Sequence, residues 1–235
     1  MRTLVAAVVV AAVGVGAGAA EKPTAAEEKA GWRALFDGKS TAGWRGFKSE
    51  TFPLERWTVV DGVLKQSGPH GERGTRDIIT KDKFGDFDFR FEWKVAPGGN
   101  SGVKYLVTEE RAGPIAHEYQ VVDDEKNPDA KIGPHRQTAS FYDVLPPAKD
   151  VPRKPAGEWN ESRILVKGNH VEHWLNGRKV LEYELGSPEL QAAITKSKFK
   201  DVPGFDAKLE GHLLLQDHGD EVWYRNLRIQ APPRP

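Results

Sequence analysis

Residues 87–95 read Phe-Asp-Phe-Arg-Phe-Glu-Trp-Lys-Val. Apolar and polar residues alternate with period two, which predicts an extended strand with one apolar and one polar face. Phe87, Phe89, Phe91 and Trp93 fall on the apolar face; Asp88, Arg90, Glu92 and Lys94 fall on the polar one. The run "APGGN" then turns the chain into "SGVKYLV". Asp61-Gly62 and Asn176-Gly177 each sit between apolar runs, and both dipeptides predict a two-residue hairpin turn. "HEYQVVDD" predicts a strand with Glu118 and Gln120 on one face and Tyr119 and Val121 on the other. "HLLLQD" and "VWYRNLRI" predict the last strands, and "SPELQAAITKSKF" alone predicts a helical turn.

Many short antiparallel strands with aromatic alternation and little helix imply an all-β fold, a β-sandwich of two packed antiparallel sheets. No internal repeat or dividing linker is visible, so residues 32–230 read as one domain, with 231–235 as a tail. Residues 21–31, "EKPTAAEEKAG", are polar and lack aromatics, which predicts a mobile N-terminus. Before them, "MRTLVAAVVVAAVGVGAGAA" has Arg2, an apolar stretch and then small residues. That is the layout of a signal peptide over residues 1–20, and it predicts a periplasmic or secreted protein without stable membrane insertion.

Composition narrows the function. Thirty-four Lys and Arg balance thirty-four Asp and Glu. No basic surplus points to nucleic acid or an anionic membrane. There is no Cys, so an exported domain must be held by its core alone. Phosphate-binding loops, dinucleotide turns, zinc-protease helices and the Gly-x-Ser-x-Gly elbow are all missing from the sequence. The chemistry must come from polar residues on strands whose other face is core.

Glu118 and Gln120 stand out because strand interiors usually avoid Glu. They share a face about 7 Å apart along the strand. Lys104 shares a face with Gly102 and has the charge to stabilise an oxyanion or enolate. Glu92 is a further carboxylate on a polar face. Near the C-terminus, Leu213 and Leu215 predict a core face, which leaves Gln216 and His218 for the opposite surface; Asp217 lies between them. His173 alternates with Val171 and Leu175, so by pattern alone it is a core histidine or a residue of a half-buried cleft. His70, His117 and His135 are flanked by turn residues and read as rim positions. No metal-ligand spacing is strong enough to stand alone.

Taken in order, "LFDGKSTAGW", "KFGDFDFRFEWKVAPGGNSGVKY", "EYQVVDD", "KPAGEWNESRILVKGNHVEHWLNGRKV" and "LQDHGDEVWYRNLRI" resemble the 3-keto-disaccharide hydrolase domain family. The resemblance runs from Trp32 to Ile229. It implies a concanavalin A-like jelly-roll sandwich, export, and action on a 3-keto sugar or glycoside. A C3 ketone acidifies the C2 proton, so a base, a cation at the C3 oxygen and a proton donor for the leaving group suffice. Under the resemblance, Glu118, His173 and Lys104 are the expected catalytic residues. Glu92, Gln120, Gln216, Asp217 and His218 are the expected substrate-binding residues. A divalent metal ion held by His and carboxylate is compatible with this chemistry. Two other readings stay open: a non-catalytic carbohydrate-binding module with Trp174 or Trp223 as an aromatic platform, and an ordinary glycosidase with Glu92 and Glu118 as its pair.

Overall fold

The computed structural model describes residues 22–67 and 76–232. The leader expected over residues 1–20 lies outside the described residues, as do His70 and the last three positions of the tail. In chain order the elements are α1 (Ala25–Lys29), β1 (Trp32–Ala34), β2 (Trp44–Gly46), β3 (Trp57–Val60), β4 (Val63–Gln66) and β5 (Ile78–Thr80). Then come β6 (Phe87–Val95), β7 (Asn100–Val107), β8 (His117–Val122), β9 (Asn160–Lys167), β10 (His170–Leu175) and β11 (Arg178–Glu184). The chain closes with α2 (Pro188–Ile194), β12 (His212–Leu215) and β13 (Val222–Gln230).

Among the described residues these strands form two antiparallel sheets, packed face to face as a jelly-roll sandwich. The larger runs β11-β10-β9-β6-β13-β4-β3, with β1 added against β13; the smaller runs β2-β5-β12-β7-β8. The alternation of β6 has the predicted result: Phe87, Phe89, Phe91 and Trp93 are buried in the core. From the smaller sheet, Val103, Tyr105, Tyr119, Val121, Leu213 and Leu215 meet them. The hairpin turns close as their dipeptides predict. Asp61 and Gly62 have φ of 50° and 77°, and Asn176 and Gly177 have 46° and 80°. Paired positive φ values match the strand twist, and Asn, Asp and Gly tolerate them best.

Residues 22–31 differ from the expected mobile segment. Thr24 and Glu27 make a reciprocal capping box that starts α1, and Glu27 pairs with Arg228 of β13 at 3.2 Å. The Thr-x-x-Glu spacing, rather than the polarity, decides the local structure. The expected helical turn appears as α2, capped by Ser187 with Pro188 in its first turn. Among the described residues no helix is long and apolar enough to cross a membrane.

Two stretches without strands rise beside the smaller sheet, residues 123–159 and 195–211. Asp143 ties them together, because its carboxylate accepts from Arg136 Nε at 2.7 Å and from the Lys198 backbone N–H at 2.8 Å. They wall one end of a cavity whose floor is the outer face of that sheet.

Candidate active site

The floor is built by register. On β7 and β8, Lys104 lies opposite Glu118 and Gly102 opposite Gln120. Tyr119 and Val121 turn into the core, so Glu118 and Gln120 must turn out, into a cavity of about 760 Å³. Lys104 Nζ lies 3.7 Å from Glu118 Oε2 and donates to the Pro114 carbonyl at 3.0 Å. Gly102 makes room for the pair: a Cβ there would stand 2.1 Å from Glu118 Oε1. Gln120 Nε2 donates to Asn100 Oδ1 at 3.3 Å, whereas its buried Oε1 has no hydrogen-bond partner among the described residues. A buried acceptor left this way wants a donor from a ligand or solvent.

The polar run after β12 divides by the same alternation. Gln216 and His218 line the cavity. The Gln216 backbone is pinned by its N–H to the Gly102 carbonyl at 2.9 Å and by Ser101 Oγ donating to its carbonyl at 2.7 Å. His218 Nδ1 lies 3.7 Å from Asp220 Oδ2. Asp217 corrects the substrate-binding expectation. Its backbone borders the cavity, but its carboxylate points inward and accepts from Arg56 at 2.9 and 3.1 Å, Gln66 at 2.5 Å and the Gly219 N–H at 3.0 Å. With those acceptor positions taken, Asp217 braces the strand end and holds no sugar hydroxyl.

Three further expectations are corrected. Glu92 lies on the outer face of the larger sheet, where it accepts from Arg225 Nε at 2.8 Å and Asn226 Nδ2 at 2.6 Å. A polar face on a strand does not say which sheet the strand joins. His173 is fully buried between the sheets, with Nε2 2.7 Å from Tyr105 Oη and Nδ1 3.0 Å from the Ala139 carbonyl. Burial pushes it down to about 4, and it does not reach the cavity. His117 is no rim residue either. It is the first residue of β8 and faces the core, 2.7 Å from Tyr183 Oη and 2.6 Å from the Phe205 carbonyl. His135 borders a separate pocket beside Glu189 and Lys196.

The missed residue of greatest consequence is Asp77, which lines the cavity just before β5 and is largely buried. Its Oδ1 accepts the Asp217 N–H at 2.8 Å. Burial pushes its carboxyl up to about 6; Lys104 opposes the shift, and the charges of Glu118 and Asp217 add to it. The only sequence signal was a carboxylate placed immediately before an apolar Ile-Ile run. Tyr142 and Lys198 were also missed, and they come from the two strandless walls. The Lys198 ammonium stands 4.1 Å over the Tyr142 ring.

Among the described residues, one group of His and carboxylate ligand atoms lies within 4.8 Å of one another: His170, Glu172 and Glu182. It belongs to β10 and β11, on the larger sheet, and Lys179 already bridges its two carboxylates at 3.2 and 2.6 Å. Among the described residues, no such group of three lies in the cavity. Trp174 and Trp223 do not line the cavity either. Arg163 lies over Trp174, and Lys65 and Lys94 over Trp223, on the larger sheet.

A jelly-roll sandwich with a polar, titratable cavity over one sheet offers a concave site with convergent polar groups for a small polar ligand. The chain belongs to the 3-keto-alpha-glucoside-1,2-lyase-like domain family, whose model matches residues 31–230. It is 39% identical, over 86% of its length and 78% of the relative's, to a 3-keto-disaccharide hydrolase of Bacteroides thetaiotaomicron. Two crystal structures from Parabacteroides distasonis, both provisionally described as glycosyl hydrolases, share the fold. The first superposes with a TM-score of 0.79 at 31% identity, covering 89% of this chain and 98% of that one. The second gives 0.68 at 29% identity, covering 86% and 99%.

Proposed function

We propose that the cavity cleaves 3-keto-glycosides by elimination across C1 and C2, followed by addition of water to give net hydrolysis. The observation that carries this reading is the Lys104–Glu118 pair, seated over Gly102 on the cavity floor. Abstraction of a proton beside a ketone needs a base and, within a few ångströms of it, a positive charge for the oxygen that becomes negative. Glu118 takes the C2 proton. The C2–H electron pair moves into the enolate, and Lys104 stabilises the charge on the C3 oxygen. When the ketone re-forms, a double bond forms between C1 and C2 and the C1–O bond breaks. Water then adds back across that double bond. Gln120 Oε1, the buried acceptor without a partner among the described residues, accepts a hydrogen bond from a sugar hydroxyl, while Gln216 and His218 border the ring from the segment after β12. The 3-keto-disaccharide hydrolase relative supports the substrate class. The leader-like residues 1–20 support an exported site of action.

The paired-carboxylate reading loses its basis, because Glu92 and Glu118 lie on different sheets. Incubation of the purified protein with an aryl 3-keto-glucoside tests the proposal. Release of the phenol is expected, with a plain aryl glucoside untouched. Glu118→Gln keeps size and hydrogen bonding but removes the base, so turnover should fall by about a hundredfold or more. Tight binding without phenol release, or a Glu118→Gln rate within a few-fold of wild type, would overturn it.

A further inference from the structure

We infer that Asp77 is the catalytic acid of this cavity, donating a proton to the oxygen that leaves C1. This role rests on the elimination proposed above. It is carried by where the fold puts the side chain. Ile78, its neighbour, pairs with Leu215 on β12, and β12 in turn pairs with β7. Glu118 comes from β8 but leans over Gly102 of β7. The two carboxyl groups therefore enter the cavity from opposite sides of the extension of β12 that carries Gln216. The strands behind them, β5 and β7, stand two spacings apart, roughly 10 Å, and that width accommodates a pyranose ring.

The environments of the two groups differ in the way a division of labour requires. Glu118 has the Lys104 ammonium 3.7 Å away. Among the described residues Asp77 is held by a single neutral donor, the Asp217 N–H. Burial is the main influence against its ionisation; the Glu118 and Asp217 charges add to it, and Lys104 only partly opposes them. Its carboxyl, pushed up to about 6, keeps a protonated fraction near neutral pH. In the step itself the C1–O bond breaks with its electron pair on oxygen, and the Asp77 proton goes to that oxygen. Glu118 is left protonated and Asp77 ionised, and exchange with solvent resets both.

Leaving-group dependence tests the role. A nitrophenolate departs without a proton, whereas a sugar alkoxide does not. Asp77→Asn should therefore lower kcat on a 3-keto-disaccharide by about a hundredfold or more and on nitrophenyl 3-keto-glucoside by no more than a few-fold. In the wild type, kcat on the disaccharide should fall as pH rises through about 6, and the aryl substrate should lack that limb. This second measurement needs no variant. Equal losses on both substrates, or an identical pH limb for both, would overturn the assignment while leaving the elimination intact. A wild type inert towards both glycosides would overturn the elimination, and this role with it.

Discussion

Lys104–Glu118 and Tyr105–His117 are neighbouring rungs of one strand pair. The first faces the cavity and the second the core. Burial does not tell them apart, since Glu118 is 5% exposed and His117 2%. What differs is whether the polar atoms find protein partners. On the core side a chain of contacts runs from the Phe205 carbonyl through His117, Tyr183, Tyr105 and His173 to the Ala139 carbonyl, each link between 2.6 and 3.0 Å. Both imidazoles use both nitrogens, and the chain joins the two sheets. On the cavity side Glu118 has the Lys104 cation at 3.7 Å, and Gln120 Oε1 has no partner among the described residues. A polar group sealed with partners holds a fold together; one buried without them is poised for a ligand.

The sharpest way to break the comparison is to disturb only the cavity rung. Gly102→Ala places a methyl where the Glu118 carboxylate lies, at 2.1 Å from Oε1. The obstructed atom is the end of a flexible side chain, so the carboxylate swings away and the backbone stays. Misplacing a reacting group by about an ångström costs on the order of a hundredfold, and that is the expected loss of turnover. Denaturant unfolding should show stability within about 1 kcal/mol of wild type. Turnover close to wild type would mean that the position of Glu118 does not matter.

The comparison also explains what could be read before the fold was known. Period-two alternation in β6, β8 and β12 told core from surface at Phe89, Tyr119 and Leu213, and so predicted the outward turn of Glu118, Gln120 and Gln216. It carried no information about which sheet a strand joins, and Glu92 was misplaced for that reason. His173 shares its face with Val171 and Leu175, so the pattern already favoured the core, and the resemblance to a family drew it towards the site. His117 alternates with Tyr119 and Val121, a signal masked by the Gly and Pro upstream of it. Asp77, Tyr142 and Lys198 come from a strand end and two strandless walls. No periodicity marks such positions; only the tertiary fold brings them together.

The core rung is tested by His173→Gln. The substitution breaks the contact with Tyr105 Oη inside the core, which keeps Tyr183 Oη as its other partner, and a lost buried hydrogen bond costs about 1 kcal/mol. Stability should fall by that order, while the rate per folded molecule stays near wild type. The pH dependence gives the sign. Burial pushes both His117 and His173 down to about 4, from an ordinary value near 6.5. Between those values the unfolded chain binds more protons than the native protein, so the stabilisation is present above about 6.5 and is lost as pH falls towards 4. In the variant that acid limb should become shallower, because one of the two histidines is gone. A large loss of turnover in folded protein, with the acid limb unchanged, would return His173 to the chemistry.

The smallest effect is expected at Glu92, the carboxylate whose position the alternation could not resolve. It lies on the outer face of the larger sheet, with Arg225 and Asn226 as partners and a quarter of its side chain exposed. An ion pair in contact with solvent contributes about 0–1 kcal/mol. Arg225 and Asn226 each use one carboxylate oxygen, so Glu92→Gln removes the charge and one of the two acceptors at an exposed site. Turnover of the 3-keto-glycoside should therefore match wild type, and unfolding should shift by less than about 1 kcal/mol, with the difference shrinking as salt is added. This variant shares with Glu118→Gln the same change of side chain on a strand of the same alternating pattern. If the two lost activity to the same extent, the face of a sheet would not be what separates a catalytic carboxylate from a structural one, and the contrast between the two sides of the sandwich would fail.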